Sequence, residues 1–440
     1  MTGDQRWAPP PVECLPTDER RRHQFVRLTG LLGAIDGTNR FYTEKFRAAG
    51  VSLSEIRSLD DLARLPLTTK QELASDQAAS PPWGTAHTEP LTRYTRYHQT
   101  SSTTGQPLRW LDTAESWRWV ADCWRSVFHA ARIGSGDTIL FPFGFGPFLG
   151  FWSAFDAATQ LGARVVPAGG MSSETRLQLI DALAPDVVCC TPTYALRLLE
   201  VARGLGMDLA ASPVRTIVVA GEPGGSIEAT RNQIEDGWDT RVIDHHGLTE
   251  VGPVSFECWE RPGALHLNET QFICELLDPD SEQPAAEGDP GELVVTNLGR
   301  IASPVVRYRT RDIVKLHTTP CSCGRTLRQI EGGVLSRADD MVCVRGVNVY
   351  PVAIEALVRQ VSEVAEFRST VTAAGPLHEL SIEVEVVPQA GDPAAVAGRV
   401  GQVVQEALGL TVPVRAVGAG TLPRFELKSR RFVVQESTDV

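Results

Sequence analysis

With 440 residues the chain exceeds the usual size of one domain, so two or more are expected, and 42% hydrophobic with 22% charged residues is ordinary for a globular protein with a large core. A net charge of -12 without a Lys/Arg-rich run argues against nucleic acid or an anionic membrane as a partner and leaves small molecules. The start, MTGDQRWAPPP, has no cationic segment leading into an apolar run, and nowhere do about eighteen apolar residues follow one another, so a cytoplasmic chain is expected.

The first conspicuous segment is YHQTSSTTGQPL, from Tyr97 to Leu108. Ser101, Ser102, Thr103 and Thr104 offer hydroxyl donors and Gly105 lets the backbone approach an anion closely, which suits a nucleotide's phosphates. The Walker spacing is absent, and taken alone the same run reads by default as a solvated loop.

From about residue 135, short β-branched runs alternate with helical periods. Strands are predicted at Asp137-Thr-Ile-Leu-Phe, Ala163-Arg-Val-Val, Asp186-Val-Val-Cys-Cys, Thr216-Ile-Val-Val-Ala and Thr240-Arg-Val-Ile-Asp, with helices over Glu174 to Leu183 and Tyr194 to Leu205, the first capped by Ser172 or Ser173. Such alternation implies an α/β region with a parallel sheet, whose ligands sit beyond the C-terminal strand ends. Three polar loops fall there: Thr191-Pro-Thr-Tyr194, Gly221-Glu222-Pro223-Gly-Gly, and His245-His246-Gly247-Leu-Thr249-Glu250.

The last hundred residues change character. A strand at Met341-Val-Cys-Val, a helix near Pro351 to Val361, strands near Ser369-Thr-Val-Thr and at Leu380 to Val386, a helix opened by Asp392-Pro393 and a strand from Val412 to Val417 describe a small α+β domain hinged near Asp339. Leu380, Ile382, Val384 and Val386 alternate with polar residues, which predicts one wet sheet face and one covered by helices.

In this order the chain resembles the adenylate-forming superfamily, and most closely the phenylacetate-CoA ligase family. The matching segments are LDDLARLPLTTK (59–70), SSTTGQP, CCTPTYAL (189–196), AGEP (220–223), GLTEVGP (247–253), PGELVVTNL (290–298), RYRTRD (307–312), RADDMVCVRGVNVYPVAIE (337–355) and LPRFELKSRR (422–431). The resemblance implies an N-terminal AMP-binding domain over 1–338 and a mobile C-terminal lid over 339–440. It implies ATP- and Mg²⁺-dependent conversion of a carboxylic acid to an acyl-adenylate, followed by transfer to CoA with release of AMP.

Residue by residue, it implies that Ser101, Ser102, Thr103, Thr104 and Gly105 wrap the β- and γ-phosphates, that Thr249 contacts the α-phosphate and that Glu250 holds magnesium. Gly221, Glu222 and Pro223 pack along adenine, His246 and Gly247 complete the nucleotide site, Asp312 takes the ribose hydroxyls, and Arg337 sits near the ribose. Lys428 reaches from the lid to the reacting oxygens, Asp339 is the hinge, and Gly346 leaves room for pantetheine after the lid turns. The chain departs from the family pattern at Ser102 and Gln106, where Gly and Lys are usual, at His246, where an aromatic is usual, and at Ser336.

Residues 141–155, FPFGFGPFLGFWSAF, are rich in aromatics and uncharged. They read as core, or as a flat apolar pocket in which Phe143 and Phe145, with Tyr194 and Gly247, hold an aryl or arylacetic acid.

Nine cysteines without a secretory start argue for reduced thiols rather than a disulfide framework. Cys258, His266, Cys321 and Cys323 make a complete tetrahedral zinc set, hence a structural site, although the spacing is not that of a zinc ribbon. His317 is a rival ligand, and the residues alone allow unligated cysteines equally; the family resemblance implies zinc. An acyl carrier protein or an amine as acceptor, a degenerate nucleotide-binding protein, and the oligomeric state, including a homodimer, stay open at this level.

Overall fold

The computed structural model describes residues 5–100, 107–317, 319–374, 377–426 and 428–435. Ser101, Ser102, Thr103, Thr104 and Gly105, expected to wrap the phosphates, lie outside them.

The parallel strands form where the β-branched runs predict. Arg164–Pro167, Thr138–Phe141, Val187–Cys190, Thr216–Val219 and Arg241–Leu248 lie side by side in parallel, and Gly252–Cys258, Arg261–Leu267 and Gln329–Glu331 extend the same sheet to eight strands with antiparallel pairing. Every residue of Thr138–Phe141, Val187–Cys190 and Thr216–Val219 is buried, as a sheet covered on both faces requires. The covering helices begin where caps allow. Ser172 accepts the N–H of Thr175 ahead of Ser173–Leu183, and Thr191 accepts that of Tyr194 ahead of Pro192–Gly204, whose proline fills a first-turn position with no bond to lose. Against the other face lies Ala114–Ala130, capped by Thr113 and burying Trp117, Val120, Trp124, Val127 and Phe128.

A second sheet, wholly antiparallel, runs Phe272–Leu277, Pro290–Asn297, Tyr308–Lys315 and Ser336–Arg337. Its last strand leads through residues 338–341 into Val342–Val344, which opens a third sheet containing Val347–Val349, Val364–Ala374, Leu377–Val386, Val414–Val417 and Phe432–Gln435. The helices Pro351–Arg359 and Pro393–Leu408, the latter capped by Asp392, pack on this sheet around Ile354, Val358, Ile382, Val384, Val396 and Val400.

The opposite face of that sheet is wet only in part: Glu379 and Arg415 are exposed and Arg368, Thr370 and Ser381 half-buried, but its carboxylates further along are covered. Glu383 and Glu385 are buried there: Arg368 and Arg415 both pair with Glu383, and Arg424 with Glu385, which also accepts the N–H groups of Gly420 and Leu422. Paired carboxylates can be buried where apolar residues would be, and alternation cannot distinguish them from solvated ones. Among the described residues no helix is long and apolar enough to cross a membrane.

Candidate active site

The three polar loops at the C-terminal strand ends meet the antiparallel sheet and the small domain around one cleft of about 2560 Å³. Gly221, Glu222, Pro223, His246, Gly247, Thr249, Glu250, Asp312, Arg337, Asp339 and Lys428 all line it. Gly221 needs its φ of 95°, and a methyl group on it would meet Lys428 Cε at 3.6 Å. A side chain on Gly247 would strike the Gly252 carbonyl at 2.8 Å.

Glu250 is buried; its Oε1 accepts from the Tyr308 hydroxyl at 3.2 Å and lies 3.9 Å from Lys70 Nζ. Burial, followed by the Glu250 charge, pushes the Tyr308 phenol well above its ordinary range, so it stays a donor. The backbone carrying Thr249 and Glu250 is fixed from behind. Arg300, buried and paired with Asp112, donates Nη1 to the Thr249 carbonyl at 2.6 Å and the Glu250 carbonyl at 3.3 Å.

Asp312 lies between two partners, His246 Nε2 at 3.0 Å and Arg337 Nη1 at 3.1 Å. Arg337 also spans both oxygens of Asp339 at 3.1 and 3.2 Å. Burial works against the Arg337 charge, but Asp312, Asp339 and Asp340 outweigh it and raise its pKa.

Lys428 approaches from the small domain on a segment docked at four points. Ser429 N–H donates to Glu222 Oε2 at 2.7 Å; Arg424 pairs with Glu200; Glu426 lies 3.3 Å from Arg176; and Arg431 donates to Thr193 Oγ1 at 3.0 Å. The residue as a whole is exposed, yet its amine end faces the cleft, where displacement of water and then Arg337 depress its pKa against the pull of Glu222. Gly346 lies elsewhere, in the hairpin turn between Val342–Val344 and Val347–Val349, with a φ of 85° and open space beside it.

Of the aromatic residues singled out in the sequence, Phe143 and Tyr194 line the cleft, while Phe145 turns into a cluster with Trp152 and Phe155 at ring distances of 4.7 and 5.3 Å. Phe145 supports the wall rather than forming it. Lys70, His245 and Tyr308 lie inside segments quoted from the sequence but carry no assigned role there, whereas Trp124 and Arg300 reach the site from segments with no local spacing to announce them.

Away from the cleft, the ligand atoms of Cys258, His266, Cys321 and Cys323 lie within 4.8 Å of one another. Cys258 Sγ is 3.5 Å from Cys321 Sγ, and Cys323 Sγ is 3.4 Å from His266 Nε2, near the edge of about 3.8 Å set by tetrahedral zinc–sulfur bonds. His266 turns Nδ1 to the Leu327 carbonyl at 3.4 Å and Nε2 towards Cys323, where the Gln329 side-chain nitrogen also lies 3.2 Å away. His317 is outside this set, its Nδ1 bonded to Thr319.

The family model for the AMP-binding enzyme matches residues 60–300 and that for the AMP-binding enzyme C-terminal domain matches 346–435. Phenylacetate-coenzyme A ligase of Thermus thermophilus is 35% identical over 86% of this chain and 84% of its own, and that of Escherichia coli 32% identical over 96% of each. The crystal structure of 2-hydroxyisobutyryl-CoA ligase in the postadenylation state, in complex with 2-HIB-AMP, matches with a TM-score of 0.93 at 27% identity, covering 99% of this chain and 94% of that one. The same enzyme in the thioesterification state, with 2-HIB-AMP and CoA, matches with a TM-score of 0.75 at 28% identity over the same shares. With its sheets, its cleft and these matches together, the chain belongs to the adenylate-forming enzymes, in the phenylacetate-CoA ligase family, and is an AMP-forming acid–CoA ligase that activates a carboxylic acid with ATP.

Proposed function

We propose that the acid is aromatic, an aryl or arylacetic acid without a second charge. The observation that carries this is the wall beside the His245-to-Glu250 loop, where Trp124, Phe143, His245 and Tyr194 line the cleft and the nearby Arg176 lies behind Tyr194, bonded to its hydroxyl, and is not among the described lining residues. Flat apolar walls suit a planar ring. Pyrophosphate release measured across matched aromatic and aliphatic acids tests it, and a preference for aliphatic acids overturns it.

In this reading Lys428 neutralises charge on the α-phosphate and carboxylate oxygens while the adenylate forms, with Thr249 donating to the same phosphate. Asp312 takes the ribose hydroxyls, with Arg337 and His246 orienting its carboxylate, and Gly221 to Pro223 lie along adenine. Glu250 holds magnesium, which supplies positive charge to the triphosphate; the buried carboxylate with Tyr308 and Lys70 beside it suits that task. Lys428 occupies the face that a thiol needs for the second step, so the small domain turns about Asp339 between the half-reactions and brings Gly346 round to the pantetheine. Support comes from the two TM-scores, since this chain follows the postadenylation arrangement of its neighbour far better than the thioesterification one. The four-residue cysteine and histidine cluster holds structural zinc, supported by its complete four-donor set, three of them buried and Cys323 half-buried.

A further inference from the structure

The cleft contains an acceptor to which no described residue donates. His245, on the strand Arg241–Leu248, is buried to 6% exposure yet lines the cleft. Its Nδ1 lies 2.8 Å from the carbonyl oxygen of Ser255. A carbonyl only accepts, so Nδ1 carries the proton and Nε2 presents a lone pair. Burial pushes the His245 pKa down to about 4, against the Ser255 bond, which keeps the ring neutral and this tautomer in place.

The neighbouring polar groups are already committed. The His245 ring packs 4.4 Å from the ring of Trp124, whose indole N–H donates to Ser153 Oγ at 2.6 Å. Ser153 spends its own proton on the Gly150 carbonyl at 2.6 Å, and the Tyr194 hydroxyl is engaged by Ser173 and Arg176. Nε2 is therefore a neutral acceptor set in the aromatic wall, and a bound acid that covers it without donating leaves it dry and unpaired.

We propose that His245 selects the substrate by accepting a hydrogen bond from a hydroxyl or amino group on the ring, so that the acid is a hydroxy- or amino-substituted aryl or arylacetic acid. This rests on the aromatic-acid reading above. A site built to accept such a bond discriminates strongly against the analogue lacking the donor, whereas a purely apolar wall barely distinguishes the two.

The test compares kcat/KM for pyrophosphate release with benzoic and phenylacetic acids, their methyl analogues, and their ortho, meta and para hydroxy and amino derivatives. At least one hydroxy or amino isomer is expected to exceed both the unsubstituted and methyl acids by about tenfold or more. His245→Phe should bring that ratio to about one or below, and His245→Asn, which retains an acceptor, should keep part of it. A ratio between substrates of one variant is insensitive to how much of that variant folds. The proposal is overturned if the unsubstituted or methyl acids match every hydroxy and amino isomer, or if His245→Phe leaves the ratio unchanged. Activation of aliphatic acids alone would instead remove the aromatic reading beneath it.

Discussion

The backbone N–H of Ser429 donates to one oxygen of Glu222 at 2.7 Å, while the other oxygen of that carboxylate accepts the N–H of Thr193 at 3.0 Å. One side chain thus joins the segment carrying Lys428 to the first turn of Pro192–Gly204, and it does so within the loop proposed to lie along adenine. Lid position and nucleotide site are mechanically a single object in this arrangement.

Lys428→Ala should lower pyrophosphate exchange by about 10²–10³, the usual cost of removing one transition-state donor. Thiolysis of a supplied acyl-adenylate should survive. Equal loss in both steps would mean that Lys428 serves the fold or general binding instead.

The depressed pKa of Lys428 has a directional consequence. Its charged form is the active one and is lost as pH rises through its pKa, so adenylation should decline on an alkaline limb below the ordinary lysine value of about 10.4. Lys428→Arg should move or abolish that limb. A limb unmoved by this change would assign it to another group.

Arg424 is held by buried Glu385 at 2.7 Å and reaches Glu200 across the domain boundary at 3.0 Å. Glu200 is partly exposed, so this clasp contributes at most about 1 kcal/mol. Glu200→Gln should slow adenylation by up to about fivefold without slowing thiolysis of the adenylate, and raised ionic strength should mimic it. A parallel loss in both half-reactions would show that the pair does not favour one lid position.

Elemental analysis should find about one zinc per chain, and Cys323→Ser should lose it. The same loop carries Arg325, whose buried pair with Glu13 at 2.6 Å ties down the N-terminal segment. Removal of the metal should therefore lower the melting temperature and speed proteolysis within residues 5–16. Metal-free protein of unchanged melting temperature would eliminate the zinc reading.

At the hinge, Ala338 and Asp340 donate their N–H groups to Arg311 and Arg337, so a proline at 339 disrupts neither bond while restricting φ. Asp339→Pro should impair acyl-CoA formation at least tenfold more than pyrophosphate exchange. Asp339→Ala, which removes only the carboxylate paired with Arg337, should affect the two steps alike. If proline also affects them alike, the alternating lid is wrong for this chain.

The parallel strands were legible because buried apolar runs such as Val187–Cys190 contrast with the helices between them, and caps such as Ser172 and Asp392 marked helix starts. The antiparallel sheet from Phe272 to Arg337 was not read as a sheet, because its strands alternate irregularly and its buried charges, Glu292 among them, find partners only in three dimensions. The same holds in the site. Motif order groups Thr249, Glu250, Asp312 and Lys428; Lys70 and Tyr308 lie in the same motifs, but their approach to Glu250, like that of Arg300 to its backbone, depends on long-range packing. Phe143 and Phe145 were indistinguishable by spacing, since the loop after Thr138–Phe141 follows no period that would separate the face on the cleft from the face behind it.

The small domain's hydrophobic core draws all its members from between Val342 and Phe432. A short link and polar contacts, among them the buried Arg431–Thr193 bond, join it to the rest, so on the reading proposed above it would serve as an exchangeable cassette. The cleft residues proposed to face the acid, Trp124, Phe143, Tyr194 and His245, belong to the other part of the molecule. Grafting a relative's cassette after Asp340 should thus leave the choice of acid intact while changing the speed of the thiol step, and the two traits are free to be recombined independently in engineering or in descent.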